Sequence, residues 1–122
     1  MLAERRQFLK RRWRGVAEDG EEFGFDLESR LPDGAVIWRT PTHDYVVHQE
    51  PEVVYVIRFA GVADAALIGW RIGNLHLPVE VAGDAVRVLH DPAVRQLCER
   101  EGWPLAEESV LFKPLRVVAH AS

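Results

Sequence analysis

The sequence predicts an α+β chain in two parts, and three observations predict it. The first fifty residues hold short β-type runs broken by strong turn dipeptides, with no helical periodicity after the first dozen positions. From Glu50-Pro51 onward the runs alternate strand and helix in the order βαββαβ. Gly-Asn, Gly-Asp and Asp-Pro pairs punctuate this second part where one element must stop and the next begin.

With 122 residues, 48% of them hydrophobic, the chain suits one compact unit or two very small ones with a real core. Each half alone lies below the size at which a core stabilises a fold comfortably. Association between chains is then a natural source of further buried surface, and a homodimer is expected. The single cysteine excludes an internal disulfide, and no charged-then-apolar leader or long apolar run is present, so a cytoplasmic protein without membrane contact is expected. The net charge of −4 hides a basic arm: Arg5, Arg6, Lys10, Arg11, Arg12 and Arg14 stand against Glu4 alone. The acidic remainder would repel phosphate, so a solvated edge or a docking surface for an acidic partner is favoured. A small nucleic-acid-binding module using the arm is the alternative reading.

In order, Trp13 and Val16 lead into Asp19-Gly20 and then Glu22 to Leu27, which reads as a hairpin. Pro32-Asp33-Gly34 makes another turn, and Ala35 to Arg39 and Asp44 to Gln49 give two more strands. Phe23-Gly24-Phe25 lacks the basic lead residue of an RNA-recognition strand and reads as packed core aromatics. In the second part, Glu52 to Phe59 is a strand and Ala63 to Ile72 a helix with Ala65, Ile68 and Ile72 on its inner face. Leu77 to Val81 and Ala85 to Leu89 form a hairpin over Gly83-Asp84, Pro92 to Glu101 is a second helix, and a last strand covers about Ser109 to Lys113. The sequence thus predicts a small all-β domain at 1–50 and a ferredoxin-like βαββαβ domain at 51–122.

Asp91 is a natural N-cap, Pro92 suits the first helical position and Gly102 ends the helix. Cys98 falls with Val94 and Leu97 on one face, as a small buried hydrophobe. A two-residue turn at Gly83-Asp84 sets Glu80 opposite Arg87 as an ion pair, with Val79 and Val88, and Val81 and Val86, facing each other on the buried side. The same register puts His76 and His90 at one end of the hairpin on opposite faces.

None of the five histidines, His43, His48, His76, His90 and His120, pairs with another at the close spacing of a zinc finger or an HExxH helix. His76 stands out: Gly73-Asn74 ends the helix through the left-handed region, and period-two geometry turns His76 away from Leu77, Val79 and Val81 at the mouth of the strand. No serine has a histidine context that would make a nucleophile, which argues against a hydrolase.

The run Gly69-Trp70-Arg71-Ile72-Gly73-Asn74-Leu75-His76-Leu77-Pro78-Val79-Glu80 resembles the Gly-Asn-x-His segment of the UreE family of urease accessory proteins, which are nickel metallochaperones. Asp19-Gly20, Glu22-Phe23-Gly24 and Leu31-Pro32-Asp33-Gly34 resemble that family's amino-terminal domain, and His90-Asp91-Pro92, Gly102 and Phe112-Lys113-Pro114 its carboxy-terminal half. The resemblance implies a non-enzymatic chaperone that delivers Ni²⁺ through the maturation GTPase UreG to apo-urease, with the β domain as a protein-docking surface. It implies His76 and its symmetry mate as the primary ligands at the homodimer interface, His120 as a candidate third ligand and His90 as a candidate auxiliary one. Pro92 replaces a second histidine that some members carry, and the tail lacks their histidine-rich run. Such imidazole sites accept Zn²⁺ and Cu²⁺ as well.

Overall fold

Turn chemistry decides where the amino-terminal strands fold back. In a computed structural model that describes residues 1–115, the chain divides into two compact units, Met1–Glu50 and the part from Pro51 on. The first holds β1 (Leu2–Ala3), a 3₁₀ turn (Arg5–Leu9), β2 (Arg12–Val16), β3 (Glu22–Asp26), β4 (Ala35–Arg39) and β5 (Asp44–Gln49). Gly20, at φ 88°, makes the tight return between β2 and β3 that a side chain would strain. The antiparallel register then sets Trp13 opposite Phe25 and Gly15 opposite Phe23. Trp13 is buried and stacks on Phe25 at 4.2 Å, and Met1, Ala3, Phe8, Ala17 and Val47 complete this core. β4 pairs antiparallel with β5 through a bulge between Val36 and Trp38, and β1 adds parallel to the other side of β5.

The basic arm is folded into this unit. Arg6 pairs with Glu4 at 2.6 Å, Arg12 with Asp26 at 3.3 Å, and Arg11 donates to the carbonyl of Glu28 at 3.4 Å.

The second unit holds β6 (Glu52–Arg58), α1 (Val62–Gly73), β7 (Val79–Ala82), β8 (Ala85–Leu89), α2 (Pro92–Glu101) and β9 (Ala106–Val110). Its four strands lie in the order β7-β8-β6-β9 with every neighbour antiparallel. The hairpin has the expected register, Val79 to Val88, Glu80 to Arg87, Val81 to Val86 and Ala82 to Ala85, and Glu80 and Arg87 pair at 3.4 Å. On one sheet face Tyr55, Ile57, Val86 and Val88 pack with Ile68 and Ile72 of α1 and Val94, Leu97 and Cys98 of α2. Asp91 caps α2 by accepting from the Ala93 N–H at 2.8 Å, and Gly102 closes it at φ 74°.

The placement of two strands and two burials differ from the sequence reading. β7 starts at Val79, two residues later than Leu77: Leu75 and His76 are taken up by the turn that ends α1, and Pro78 has no N–H to give a ladder. β9 lies at Ala106–Val110, because its pairing with β6 sets Val110 against Glu52. Phe112 therefore leaves the sheet and covers its second face with Val54, Val56 and Ala85. Val81, expected inside, is 57% exposed on the edge strand beside the hairpin turn. The Glu80–Arg87 pair, expected on an open face, is largely buried instead, with side chains 14% and 26% exposed.

Candidate metal site

Helix α1 ends by tightening. The N–H of Asn74 reaches the Trp70 carbonyl at 3.1 Å, that of Leu75 the Ile72 carbonyl at 3.0 Å, and that of His76 the Gly73 carbonyl at 3.1 Å, so the last turn narrows to i to i−3 bonds. Gly73 is still helical and Asn74 keeps right-handed angles (φ −67°, ψ −15°). The left-handed residue is His76 itself, at φ 57°. This corrects the expectation that Gly73 and Asn74 would carry the reversal and His76 a sheet face. Histidine tolerates this region better than most residues, at a cost of roughly 1–2 kcal/mol that the helix end must hold in place. His76 is exposed, and its ring has no hydrogen bond or ion pair among the described residues.

His90 is differently engaged. It follows β8 directly, has the side-chain parity of Val86 and Val88, and stacks on Tyr55 with ring centroids 4.2 Å apart and planes 23° apart. Its Nε2 lies 3.5 Å from Glu107 Oε1, and Glu107 is the β9 partner of Tyr55. One ring face and one nitrogen are thus already in use. Beside it, Arg95 Nε donates to the Tyr55 hydroxyl at 3.3 Å, which pushes the guanidinium pKa up. The hairpin ladder stops at Val79–Val88, so both histidines stand outside it, one on the α1 turn and one at the start of α2.

The other candidates lie apart from this turn. In the amino-terminal unit, His43 Nδ1 is 2.7 Å from Thr42 Oγ1 and His48 Nδ1 is 3.5 Å from Asp33 Oδ1. Cys98 is 2% exposed, and burial pushes its thiol pKa up, the opposite of what a ligand needs. His120 lies outside the described residues. The chain leading to it is rooted at β7, where the Leu115 N–H donates to the Val79 carbonyl at 2.7 Å. Among the described residues no three of His, Cys, Asp and Glu converge as metal ligands.

One feature beside His76 escaped the sequence reading. The outer side of α1 carries Val62, Ala63, Ala66, Leu67 and Trp70, all exposed, with Gly69 and Gly73 between them. Trp70 is 59% exposed and Leu67 42%. A solvated helix places charges there. The signal was legible as a second apolar stripe offset from Ala65, Ile68 and Ile72.

Residues 52–122 match the family described as "UreE urease accessory protein, C-terminal domain". Similar proteins include the "Urease accessory protein UreE" of Beijerinckia indica subsp. indica, 32% identical over 113 residues that cover 84% of this chain and 60% of the relative. Those of Chelativorans sp. (30% identical, 86% and 68% covered) and Corynebacterium efficiens (32% identical, 91% and 77% covered) bear the same name. The chain spans 60% of the Beijerinckia protein's length and 68% of the Chelativorans protein's. The chain belongs to the UreE family of urease accessory proteins.

Proposed function

We propose that this chain is a nickel metallochaperone of urease maturation, not an enzyme. Two copies hold one Ni²⁺ between them at His76 and its symmetry mate and pass it through the GTPase UreG toward apo-urease in the cytoplasm. The observation that carries this reading is the apolar outer side of α1, running through Leu67 and Trp70 to a turn that ends on the exposed imidazole of His76, unpartnered among the described residues. A second copy laid along that side would remove Trp70 and Leu67 from water at about 25 cal/mol per Å² of apolar area, and a two-fold axis near the helix end would bring two His76 rings together. Each chain supplies one donor where Ni²⁺ wants several, so the ion needs the dimer, water and mobile ligands. An exposed, under-coordinated site suits transfer better than storage.

His120 serves in this reading as a tail ligand, and His90 as a weaker auxiliary one because Tyr55 and Glu107 already occupy it. The unit at 51–122 is the ferredoxin-like metal-binding and dimerisation domain, a reading supported by the βαββαβ order and the β7-β8-β6-β9 sheet. The unit at 1–50 is the protein-docking domain. The competing nucleic-acid reading loses ground with Arg6 and Arg12 beside carboxylates.

Sedimentation and nickel calorimetry of Trp70→Glu test the proposal. The expected result is a shift from dimer to monomer together with loss of the tight nickel event, although His76 is intact. A Trp70→Glu protein that stays dimeric and binds nickel with full affinity would place the shared site elsewhere.

A further inference from the structure

The amino-terminal unit presents an aromatic face: Phe23 and Tyr45 pack against its core, and Trp38 beside them is exposed. Trp38, 48% exposed on β4, stacks on Tyr45 of β5 with ring centroids 5.5 Å apart and planes 20° apart, and Phe23 of β3 meets the Trp38 ring edge-on at 5.9 Å. Carboxylates border these rings. The Tyr45 hydroxyl donates to Asp19 Oδ2 at 2.5 Å, and that bond, followed by burial and the charges of Asp19 and Glu21, pushes the phenol pKa up to about 12. The nearest cation on β4, Arg39, is matched by Asp44 at 3.7 Å, and His43 is bonded to Thr42. Aromatic rings in a negative surround attract a guanidinium or ammonium group, and Trp is the strongest such platform. β4 is also an edge: one side pairs with β5, and the other has no strand partner among the described residues. The bulge at Val36/Trp38 makes that edge a poor template for indiscriminate pairing, so selectivity rests with the rings and carboxylates.

We propose that this face docks an extended cationic segment of a partner protein, whose backbone runs along β4 while its Arg or Lys side chains stack on Trp38 beside Asp19 and Glu21. The inference deepens the docking role given above to residues 1–50 and does not depend on the metal site.

The test uses the full chain and two short synthetic peptides, one alternating Arg with Val and one with Glu in place of Arg, with binding followed by tryptophan fluorescence and by the Trp38 indole NMR signal. The basic peptide should bind at low salt, shift the Trp38 signal and weaken as salt rises. Trp38→Ala should lower its affinity about tenfold, as loss of a central aromatic anchor does. Glu21→Gln, which removes a charge at an exposed position and leaves the rings in place, should lower it severalfold. Equal binding of the acidic peptide, or no effect of either substitution, overturns the proposal. If neither peptide binds but Trp38→Ala weakens binding of purified UreG, the docking role stands and the cationic segment falls. A larger assembly reduced to a dimer by Trp38→Ala, with no peptide bound, would assign the face to another copy of this chain and also overturn it.

Discussion

The backbone N–H of Leu115 donates to the carbonyl of Val79 at 2.7 Å, which roots the last described residue on the strand that begins three residues after His76. His120 lies five positions after Leu115, an extended reach of about 18 Å, and Val79 three positions after His76, about 11 Å. The chain is long enough to carry His120 to His76. His120→Ala should therefore weaken the tight nickel event without abolishing it, by roughly tenfold, since a tethered ligand acts through its high local concentration. Leu115→Pro, which removes the rooting donor and keeps His120, should reproduce part of that loss in the same calorimetric titration. Unchanged affinity in both variants would remove the tail from the ligand set.

The two histidines of the second unit should separate cleanly. His76→Ala removes both central imidazoles of a dimer at once and should erase the highest-affinity nickel event, about one ion per dimer. His90→Ala should leave that event nearly intact, because the ring is committed to Tyr55 and Glu107. Both variants should first be shown to be folded dimers by sedimentation and circular dichroism. Coordination needs neutral imidazole, so nickel affinity of the parent should fall steeply between about pH 7 and 5.5, with more than one proton displaced per ion at the acid end. A flat profile would mean that carboxylates hold the metal.

Tyr45 should ionise late. Its hydrogen bond to Asp19 favours the neutral phenol and raises the pKa to about 12, whereas Asp19 is held below its ordinary value by that bond and by the Glu21 N–H. The raised phenol contributes stability that is complete below its unfolded value near about 10 and lost as pH rises through about 12. The depressed carboxylate contributes stability present above about 3.9 and lost as pH falls through its lower folded value. Asp19→Asn should bring the Tyr45 titration, followed by its ring NMR signals, back toward the ordinary phenol range.

Phe112 and Val81 should trade the roles that the hydrophobic pattern suggests. Phe112 is fully buried against Val54, Val56 and Ala85, and Phe112→Ala should cost about 3–5 kcal/mol in urea unfolding. Val81 is mostly exposed, and Val81→Ala should stay within about 0.5 kcal/mol. The reverse order would return Val81 to the core.

Local chemistry made much of this protein legible from sequence alone. A two-residue Gly83-Asp84 turn admits one pairing of its flanks, so the Glu80–Arg87 register followed. Asp91, Pro92 and Gly102 are cap residues whose backbone and side-chain preferences act within one helical turn, so the bounds of α2 followed as well. Tertiary structure decided what depends on distant partners. Whether a strand face is covered is not a property of the strand: Phe112 packs on Val54, Val56 and Ala85, on the sheet face that also holds Glu80 and Arg87, while the edge position leaves Val81 in water. The left-handed residue at the end of α1 is His76: the helix, with Ile72 in the sheet core, runs through Gly73, and Asn74 keeps right-handed angles, which defers the reversal. His90 is committed by Tyr55 and Glu107, thirty-five and seventeen residues away in the chain, and no periodicity reports so distant a contact.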